Sequence, residues 1–197
     1  MGHGRYIEPP AAQYVLGAGE KLALEFSVMP GESCDIDISV DLAGKGAEFS
    51  LRGFYILGRD ERLNIKVRVH HKAPGCSSSQ VVNGVAGGEA LVRFDGRIIV
   101  APGADGTDAS QTNRNVVVSD SARVETTPQL EIYADDVKCS HGATVGKLGE
   151  DELFYMRSRG IPEREAKVLQ ILSFLSPALP EGVDQNGVEE ALREILV

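Results

Sequence analysis

A cysteine and a histidine two residues apart, Cys139 and His141, are the side chains of this sequence best suited to binding a metal. They come at the end of an apolar, β-type run that begins at Pro128. Because residues i and i+2 of a strand project from the same face, the thiol and the imidazole can approach the same ion. A soft thiolate beside an imidazole suits iron, zinc or an iron–sulfur cluster. The pair is therefore a candidate site for a metal or a cluster.

The same pair also has a purely structural interpretation. Free cysteine is commonly buried as a small apolar residue, and a histidine at a strand end can simply be hydrogen-bonded. A closed zinc site or a cluster needs about four protein ligands, and this stretch offers two. Any further ligands would have to come from another subunit. Incomplete ligation of this kind suits a protein on which a cluster is assembled and then released.

Composition and charge narrow the classes of partner. The net charge of −9 and the pI near 5.0 argue against a nucleic-acid or anionic-membrane surface, since both reward clustered Lys and Arg. No apolar run is long enough to span a bilayer, and the start of the chain lacks the apolar core of a signal peptide. The three cysteines are widely spaced, as expected for free thiols in a reducing compartment. We therefore expect a cytoplasmic protein whose partners are proteins.

Residues 14–137 repeat one pattern, a run of β-branched and apolar residues closed by a cluster of Gly, Pro, Asn or Asp. The runs cover residues 22–28, 34–42, 47–57, 63–69, 79–85, 90–100, 115–118 and 124–132. Short strands at near-regular spacing predict a sandwich, a barrel or a solenoid. No Asn-Gly or Asp-Gly pair stands clearly as a hairpin turn between two strands, which favours a solenoid.

After Gly149 the spacing of apolar residues becomes helical. A helix over 150–158 is closed by Gly160, and the next begins near Pro162, where a missing N–H costs little. A third helix is predicted over 187–196. We therefore predict a β-solenoid core over 1–147 and a helical segment over 148–197, with the helices packed at the C-terminal end of the solenoid.

Several segments, in one order, carry a resemblance to a known family. Residues 94–104 (FDGRIIVAPGA) resemble its F-x-G-x-I-x-V segment. Residues 111–115 (QTNRN) and 119–122 (SDSA) resemble its Q-x-N-x-x-L-L-L-S-x-x-A segment. Residues 128–144 and then 154–161 (FYMRSRGI) follow at the family's spacing. On these motifs the sequence is identified as a member of the SufB/SufD family of iron–sulfur cluster assembly proteins.

The match is continuous from about Phe94 to Phe174 and favours the SufD side of the family. SufB proteins usually read H-E-A-T where this chain reads CSHGAT over 139–144. Family members are generally longer, and little before about His70 can be matched. Either a natural short form or a trimmed piece of a longer protein fits that difference.

The resemblance implies a right-handed parallel β-helix and a non-enzymatic scaffold subunit of a SUF-type assembly complex. It implies that His141 faces a SufB-like subunit, or a second copy of this chain in a homodimer. There His141 would help to form a nascent cluster or deliver iron, with Cys139 as its companion. The cluster or iron would be held transiently at the subunit interface.

The resemblance further implies that a SufC-like ABC ATPase docks on the C-terminal helical region. The candidate contacts are Phe154, Tyr155, Arg157 and Arg159, an aromatic and charged group in the first predicted helix. We expect no nucleotide site in this chain itself. Residues 142–148 are one residue short of a phosphate-binding loop and have Leu148 where its hydroxyl belongs.

A carbohydrate-active β-solenoid enzyme is the alternative function. Glycoside hydrolysis needs two carboxyl groups that flank one bond. Asp135 and Asp136 are adjacent, and adjacent strand residues would point to opposite faces of the sheet. The sequence therefore offers this alternative no convincing pair of carboxylates.

Overall fold

The computed structural model describes residues 5–6 and 12–196, which form a parallel β-solenoid followed by helices. The strands are β1 (Arg5–Tyr6), β2 (Ala12–Leu16), β3 (Lys21–Val28), β4 (Cys34–Leu42), β5 (Glu48–Leu57), β6 (Arg62–His71), β7 (Ser77–Ala86), β8 (Leu91–Val100), β9 (Asp108–Val117), β10 (Arg123–Ile132) and β11 (Lys138–Gly146). The odd-numbered strands form one sheet in chain order, which we call the odd sheet. The even-numbered strands form the other, which we call the even sheet. The pairings are parallel, so the predicted fold class is confirmed.

Each turn of the solenoid contributes one strand to each sheet. From β2 onward, residues paired in neighbouring turns are 26 to 32 positions apart, as in Ala12 with Ile38, Asp108 with Lys138, and Leu91 with Arg123. This regular repeat stacks equivalent positions above one another, so a column of inward-facing side chains runs through the core. The chemistry of one column can therefore be read from turn to turn.

Two glycines make room for aromatic rings in the core. A Cβ at Gly53 would come 2.2 Å from Cε1 of Phe26, and a Cβ at Gly84 would come 1.9 Å from Cζ of Tyr55. Both rings are fully buried. Asn83-Gly84 is thus part of strand β7 rather than a hairpin turn, because the glycine lies above the ring of the preceding turn.

Four strands differ from the sequence prediction, and two of them, β1 and β2, lie before the first predicted run. β9 begins at Asp108, although only 115–118 was predicted as a strand. β11 is a strand of its own, separated from β10 by a corner at residues 133–137, whereas Cys139 and His141 were predicted at the end of the preceding run. The inward positions of β9 include Gln111, Asn113 and Asn115, so the apolar alternation that marks a strand is missing there.

The helical segment contains α1 (Glu150–Ser158), α2 (Glu163–Leu175), a short 3-10 helix (Ser176–Ala178) and α3 (Gln185–Ile195). Phe54 and Ile56 of β5 and Val85 of β7 project outward from the odd sheet and are buried against these helices. Nδ2 of Asn83 donates a 2.8 Å hydrogen bond to the carbonyl oxygen of Phe174. The helices therefore share a second apolar core with the middle turns.

The prediction that the helices pack at the C-terminal end of the solenoid is wrong for α2 and α3. They lie on the outer face of the odd sheet over β5 and β7. The physical reason is the apolar strip that Phe54, Ile56 and Val85 place on an outer face, because these side chains leave water only when a helix covers them. The last turn of the solenoid is left open.

The change from strand to helix falls between Gly146 and Glu150. It agrees in position with the boundary predicted at 147, although the division into two domains stays a prediction. Among the helices at 12–196, none has the length and apolar character needed to cross a bilayer.

Candidate functional site

Cys139 and His141 lie in β11, the last strand of the odd sheet. Cys139 pairs with Ala109 of β9, and His141 pairs with Gln111. Ala109 and Gln111 are buried and face the core, and paired residues of parallel strands project from the same face. The thiol and the imidazole thus share the inward face of the last turn, as the sequence predicted.

Cys139 is the more buried of the two candidates. It packs against an apolar cluster that includes Ile98, Val100 and Ala109. Burial raises the pKa of its thiol, and the Asp108 carboxylate raises it further, while the hydrogen bond with the Ala109 N–H opposes both. Because the thiolate is the form that binds metal, this environment favours the structural interpretation of Cys139. Its role as a ligand stays a prediction.

His141 is exposed on the same strand. Among the residues that the structure describes, no three His, Cys, Asp or Glu side chains come close enough together to hold a metal ion. The described residues therefore supply at most two ligands here, Cys139 and His141, and any metal bound to them needs ligands from elsewhere.

The last turn forms an open end, defined here as strands β10 and β11 with the corner between them. Residues 53–57 of β5 are all buried, whereas no residue of β11 is buried. Three apolar side chains are exposed at this end, with Tyr133 60% accessible beside Ile132 and Val145. Within residues 12–196, nothing pairs with the outer edges of these strands. The open end therefore offers both apolar side chains and free backbone hydrogen-bonding groups.

Behind the open end, the core is polar. The Tyr55 hydroxyl donates to Oδ1 of Asn115 at 2.6 Å, and Nδ2 of Asn115 donates to Oδ1 of Asn113 at 2.8 Å. Burial raises the pKa of Tyr55, so its hydroxyl keeps the proton that it donates. The same Asn115 Nδ2 reaches the carbonyl oxygen of Thr144 in β11 at 3.0 Å. This network ties the last strand to the inner turns.

A second polar pair, Gln111 and Gln80, lies in the inward column next to that of Asn113. Nε2 of Gln111 donates to Oε1 of Gln80 at 2.7 Å, and both side chains are buried. In the sequence, Gln111 and its neighbours stand out only as a family motif, and their inward direction was not predicted. Polar residues at alternate positions 111, 113 and 115 were the available signal, since residues at i, i+2 and i+4 of a strand share a face.

Two adjacent histidines divide between the two faces of β6. His71 is buried, with Nε2 2.9 Å from the hydroxyl of Ser78. His70 lies on the outer face, where its Nδ1 is 3.9 Å from Oδ1 of Asp41. Because they point in opposite directions, they cannot bind one ion together.

The predicted ATPase contacts lie on α1, which is anchored by the buried Leu153. Phe154 and Tyr155 are 74% and 61% accessible, large values for aromatic side chains. The Arg159 guanidinium lies over the Tyr155 ring, 5.5 Å from its centroid, and Arg157 forms a 3.5 Å ion pair with Glu163 of α2. The structure thus places all four predicted residues on the exposed surface of one helical region.

The features considered for other chemistry lie in structural positions. Asp135 and Asp136 were predicted to lie in a strand, but they occur in the corner between β10 and β11. Asp136 has a φ of 49°, a left-handed conformation that Asp tolerates. The stretch 142–146, considered as a phosphate loop, belongs to β11.

Comparisons with known proteins agree with this architecture. Residues 25–174 match the family model for the SUF system FeS cluster assembly, SufBD core domain. The chain is 36% identical over 152 residues to the iron-sulfur cluster assembly protein SufD of Escherichia coli (strain K12), covering 77% of this chain and 36% of that protein. A SufBD family protein of Mycobacterium leprae is 32% identical over 152 residues, covering 73% of this chain and 39% of the relative. A SufBD family protein of Synechocystis is 48% identical over 88 residues, covering 45% of this chain and 19% of the relative.

The family match begins at Glu25, well before the limit near His70 that the motifs gave. The early turns carry apolar ladders with few distinctive motifs, so motifs alone do not identify them. The chain spans less than half the length of these three relatives. From the match to the core domain and the similarity to SufD, we conclude that the chain belongs to the SufB/SufD family of iron–sulfur cluster assembly proteins and is SufD-like.

Proposed function

We propose that this chain is a non-enzymatic, SufD-like scaffold subunit on which a cluster is assembled at the open end. The observation that carries the proposal is the position of His141, which is exposed on the inward face of the last strand. A second subunit that covers the open end would enclose this imidazole. The nascent cluster, or the iron that enters it, is the cargo held between the two subunits.

The open end suits a partner that adds strands. Its free strand edges can pair with another chain, and exposed Ile132, Tyr133 and Val145 can be buried in the same step. A SufB-like subunit is the proposed partner, and a second copy of this chain is the alternative. Either partner would bring the ligands that complete the site, because the part of this chain that the structure describes provides only Cys139 and His141.

The two candidate ligands have unequal roles in this proposal. Neutral imidazole binds iron through the ring nitrogen that carries no proton, so no proton has to leave first. His141 is also accessible to a partner. Cys139 must first lose the proton that its partly buried setting retains. We therefore assign the main contribution to His141 and a weaker, conditional one to Cys139.

Energy for assembly would come from a SufC-like ABC ATPase, since this chain has no phosphate loop. We place its docking surface on α1 and α2, around Phe154, Tyr155, Arg157 and Arg159. Large exposed aromatic side chains and arginines supply much of the binding energy at protein interfaces. Leu169 of α2 is also exposed and extends the apolar part of this surface.

We place the protein in the cytoplasm, where its three cysteines would stay reduced. Cys34, Cys76 and Cys139 are all free thiols in the structure. The alternative of a carbohydrate-active enzyme is not favoured, because the family match is to cluster assembly proteins and the suspected carboxylates lie in a corner.

Replacement of His141 tests the proposal. In a strain that lacks SufD, we expect the parent gene to support growth under iron limitation and His141→Ala to fail, because the interfacial ligand is lost. Ser140→Ala is the matched control, since Ser140 is exposed on the same strand but faces outward. Circular dichroism and thermal melting of each purified variant show whether it folds.

Growth of His141→Ala equal to that of the parent protein would reject the ligand role. A variant that has lost its melting transition would instead favour the structural interpretation of His141.

A separate test addresses the ATPase. Tyr155→Ala should weaken binding of a SufC-like ATPase by roughly tenfold or more, whereas Asp151→Ala, on the same helix, should not. Undiminished binding of Tyr155→Ala would place the interface elsewhere.

A further inference from the structure

One inward column of the odd sheet changes its chemistry toward the open end. Its successive members are Leu24, Leu51, Gln80, Gln111 and His141, each paired with the next in neighbouring strands. Two apolar residues are followed by two amides and then by the imidazole. Because the turns stack in register, Gln111 is the side chain directly beneath His141 in this column.

In the structure, the carboxamide of Gln111 takes the orientation set by its hydrogen bond to Gln80. Its Nε2 donates to Oε1 of Gln80 at 2.7 Å, and the side chain is only 1% exposed. The space it occupies is provided by Gly96 of the even sheet, where an added Cβ would lie 2.4 Å from Oε1 of Gln111. Both contacts restrict the amide, one from the turn below and one from across the core.

This orientation leaves Oε1 of Gln111 as a buried acceptor without a protein partner. The other inward amides of β9 are occupied, since Oδ1 of Asn113 accepts from Asn115 and Oδ1 of Asn115 accepts from Tyr55. A buried acceptor that lacks a donor costs about 1–3 kcal/mol. The next residue of the column is His141, whose imidazole carries a ring N–H.

We propose that Gln111 is a positioning residue for His141. Its Oε1 accepts the N–H of one ring nitrogen, which selects one tautomer and leaves the lone pair of the other nitrogen free for iron at the interface. A histidine that binds a metal usually donates its second ring nitrogen in this way, and the partner sets its tautomer and orientation. The hydrogen bonds then run in one direction, from the His141 N–H to the Gln111 amide and from there to the Gln80 amide. Each hydrogen bond therefore polarises the next.

The value of this contact rests on the proposed function of His141, but the contact itself can be measured without it. The full chain is prepared with ¹⁵N-labelled histidine, and the tautomer of His141 is read from its two ring nitrogens by long-range ¹H–¹⁵N NMR. His141→Ala identifies the signals among those of the four histidines. We expect one dominant tautomer in the parent protein.

Gln111→Met keeps nearly the same volume and removes the acceptor, so we expect a mixture of tautomers there. Ser140→Ala is the matched control, because Ser140 is exposed and faces outward on the same strand as His141, so the replacement leaves both Gln111 and Gln80 in place. A parallel Co²⁺ titration, followed by broadening of the His141 signals, should show roughly tenfold weaker binding in Gln111→Met.

A parent His141 with the tautomer mixture of an unstructured histidine peptide would overturn the proposal, and this result needs no variant to fold. A dominant tautomer that persists in folded Gln111→Met would overturn it as well. If His141→Ala still supports growth while Gln111→Met changes the tautomer, the ligand role fails and the positioning contact stands.

Discussion

The middle turns and the last turn of the solenoid follow the same register but differ in what covers them. In the column described above, Leu51 is buried, whereas His141, three turns later, is exposed. In the inward column four residues further along the strands, Tyr55 is buried and Val145 is exposed. A middle turn is covered by the next turn and by the helices on its outer face, but the last turn has neither. Burial in this fold is therefore a property of position along the solenoid more than of residue type.

The difference also concerns function. The middle turns are closed on the inside by apolar packing and on the outside by α2 and α3. The last turn combines exposed apolar groups, free strand edges and a polar interior with His141 at its end. A surface that must accept and release a partner and its cargo cannot be packed like the middle of the protein.

The largest expected effect separates the two regions by stability. Leu51→Ala should lower the free energy of unfolding by about 3–4 kcal/mol, because it leaves a cavity among fully buried side chains. Val145→Ala should lower it by less than about 0.5 kcal/mol in the isolated chain, since the side chain is already exposed. Urea denaturation followed by circular dichroism measures both. Similar losses in the two variants would mean that the open end is covered in solution.

A pH titration sharpens the same comparison through a buried residue of the middle turns. Burial, with a smaller effect of neighbouring His70, lowers the pKa of His71 to about 4 from the ordinary value of 6.5. The unfolded chain therefore takes up a proton as the pH falls below about 6.5, and the folded chain does not. The contribution of His71 to the free energy of unfolding is fully present above pH 6.5. That free energy should decline by about 3 kcal/mol between pH 6.5 and 4.

His71→Gln is the control for that titration, since it removes the titrating group and keeps a polar side chain. The free energy of unfolding is measured across this pH range for both proteins. In His71→Gln, most of the decline predicted for the parent protein should be absent. An unchanged pH dependence in His71→Gln would show that other groups cause it.

The smallest expected effect compares two glycines. Gly84→Ala places a Cβ against the ring of Tyr55 in the middle turns and should cost about 2 kcal/mol. Gly142→Ala in β11 meets no atom within 4 Å and should be neutral or stabilising by a few tenths of a kcal/mol, because the unfolded chain loses freedom. Thermal melting of both variants tests the pair. Equal melting temperatures would contradict the tight packing at Tyr55.

Much of the fold follows from local patterns in the sequence. The alternating apolar runs predict most of the strands, and Gly149, Gly160 and Pro162 mark the helices to within a few residues. Strands β9 and β11 were not recognised over their full lengths, because their inward residues are amides, a histidine or small side chains. A period-2 apolar signal does not detect a strand with a polar interior.

Part of the candidate site could be predicted in the same way. The i, i+2 spacing of Cys139 and His141 correctly predicts that they share a face, since strand geometry alone determines it. Their unequal environments could not be predicted. Cys139 packs on Ile98 and Val100 of β8 and on Ala109 of β9, and His141 lies above Gln111, so these contacts join positions 30 to 41 residues apart.

The sequence by itself determined the solenoid, the helices, the family and the two candidate ligands, because each depends on neighbouring residues or on motifs in one order. Only the tertiary structure decided that the helices cover the middle turns, that the last turn stays open, and that Gln80 and Gln111 point inward beneath His141. Those features depend on which turn stacks on which, and stacking joins residues that are distant along the chain. Register, set by the whole core, determines them.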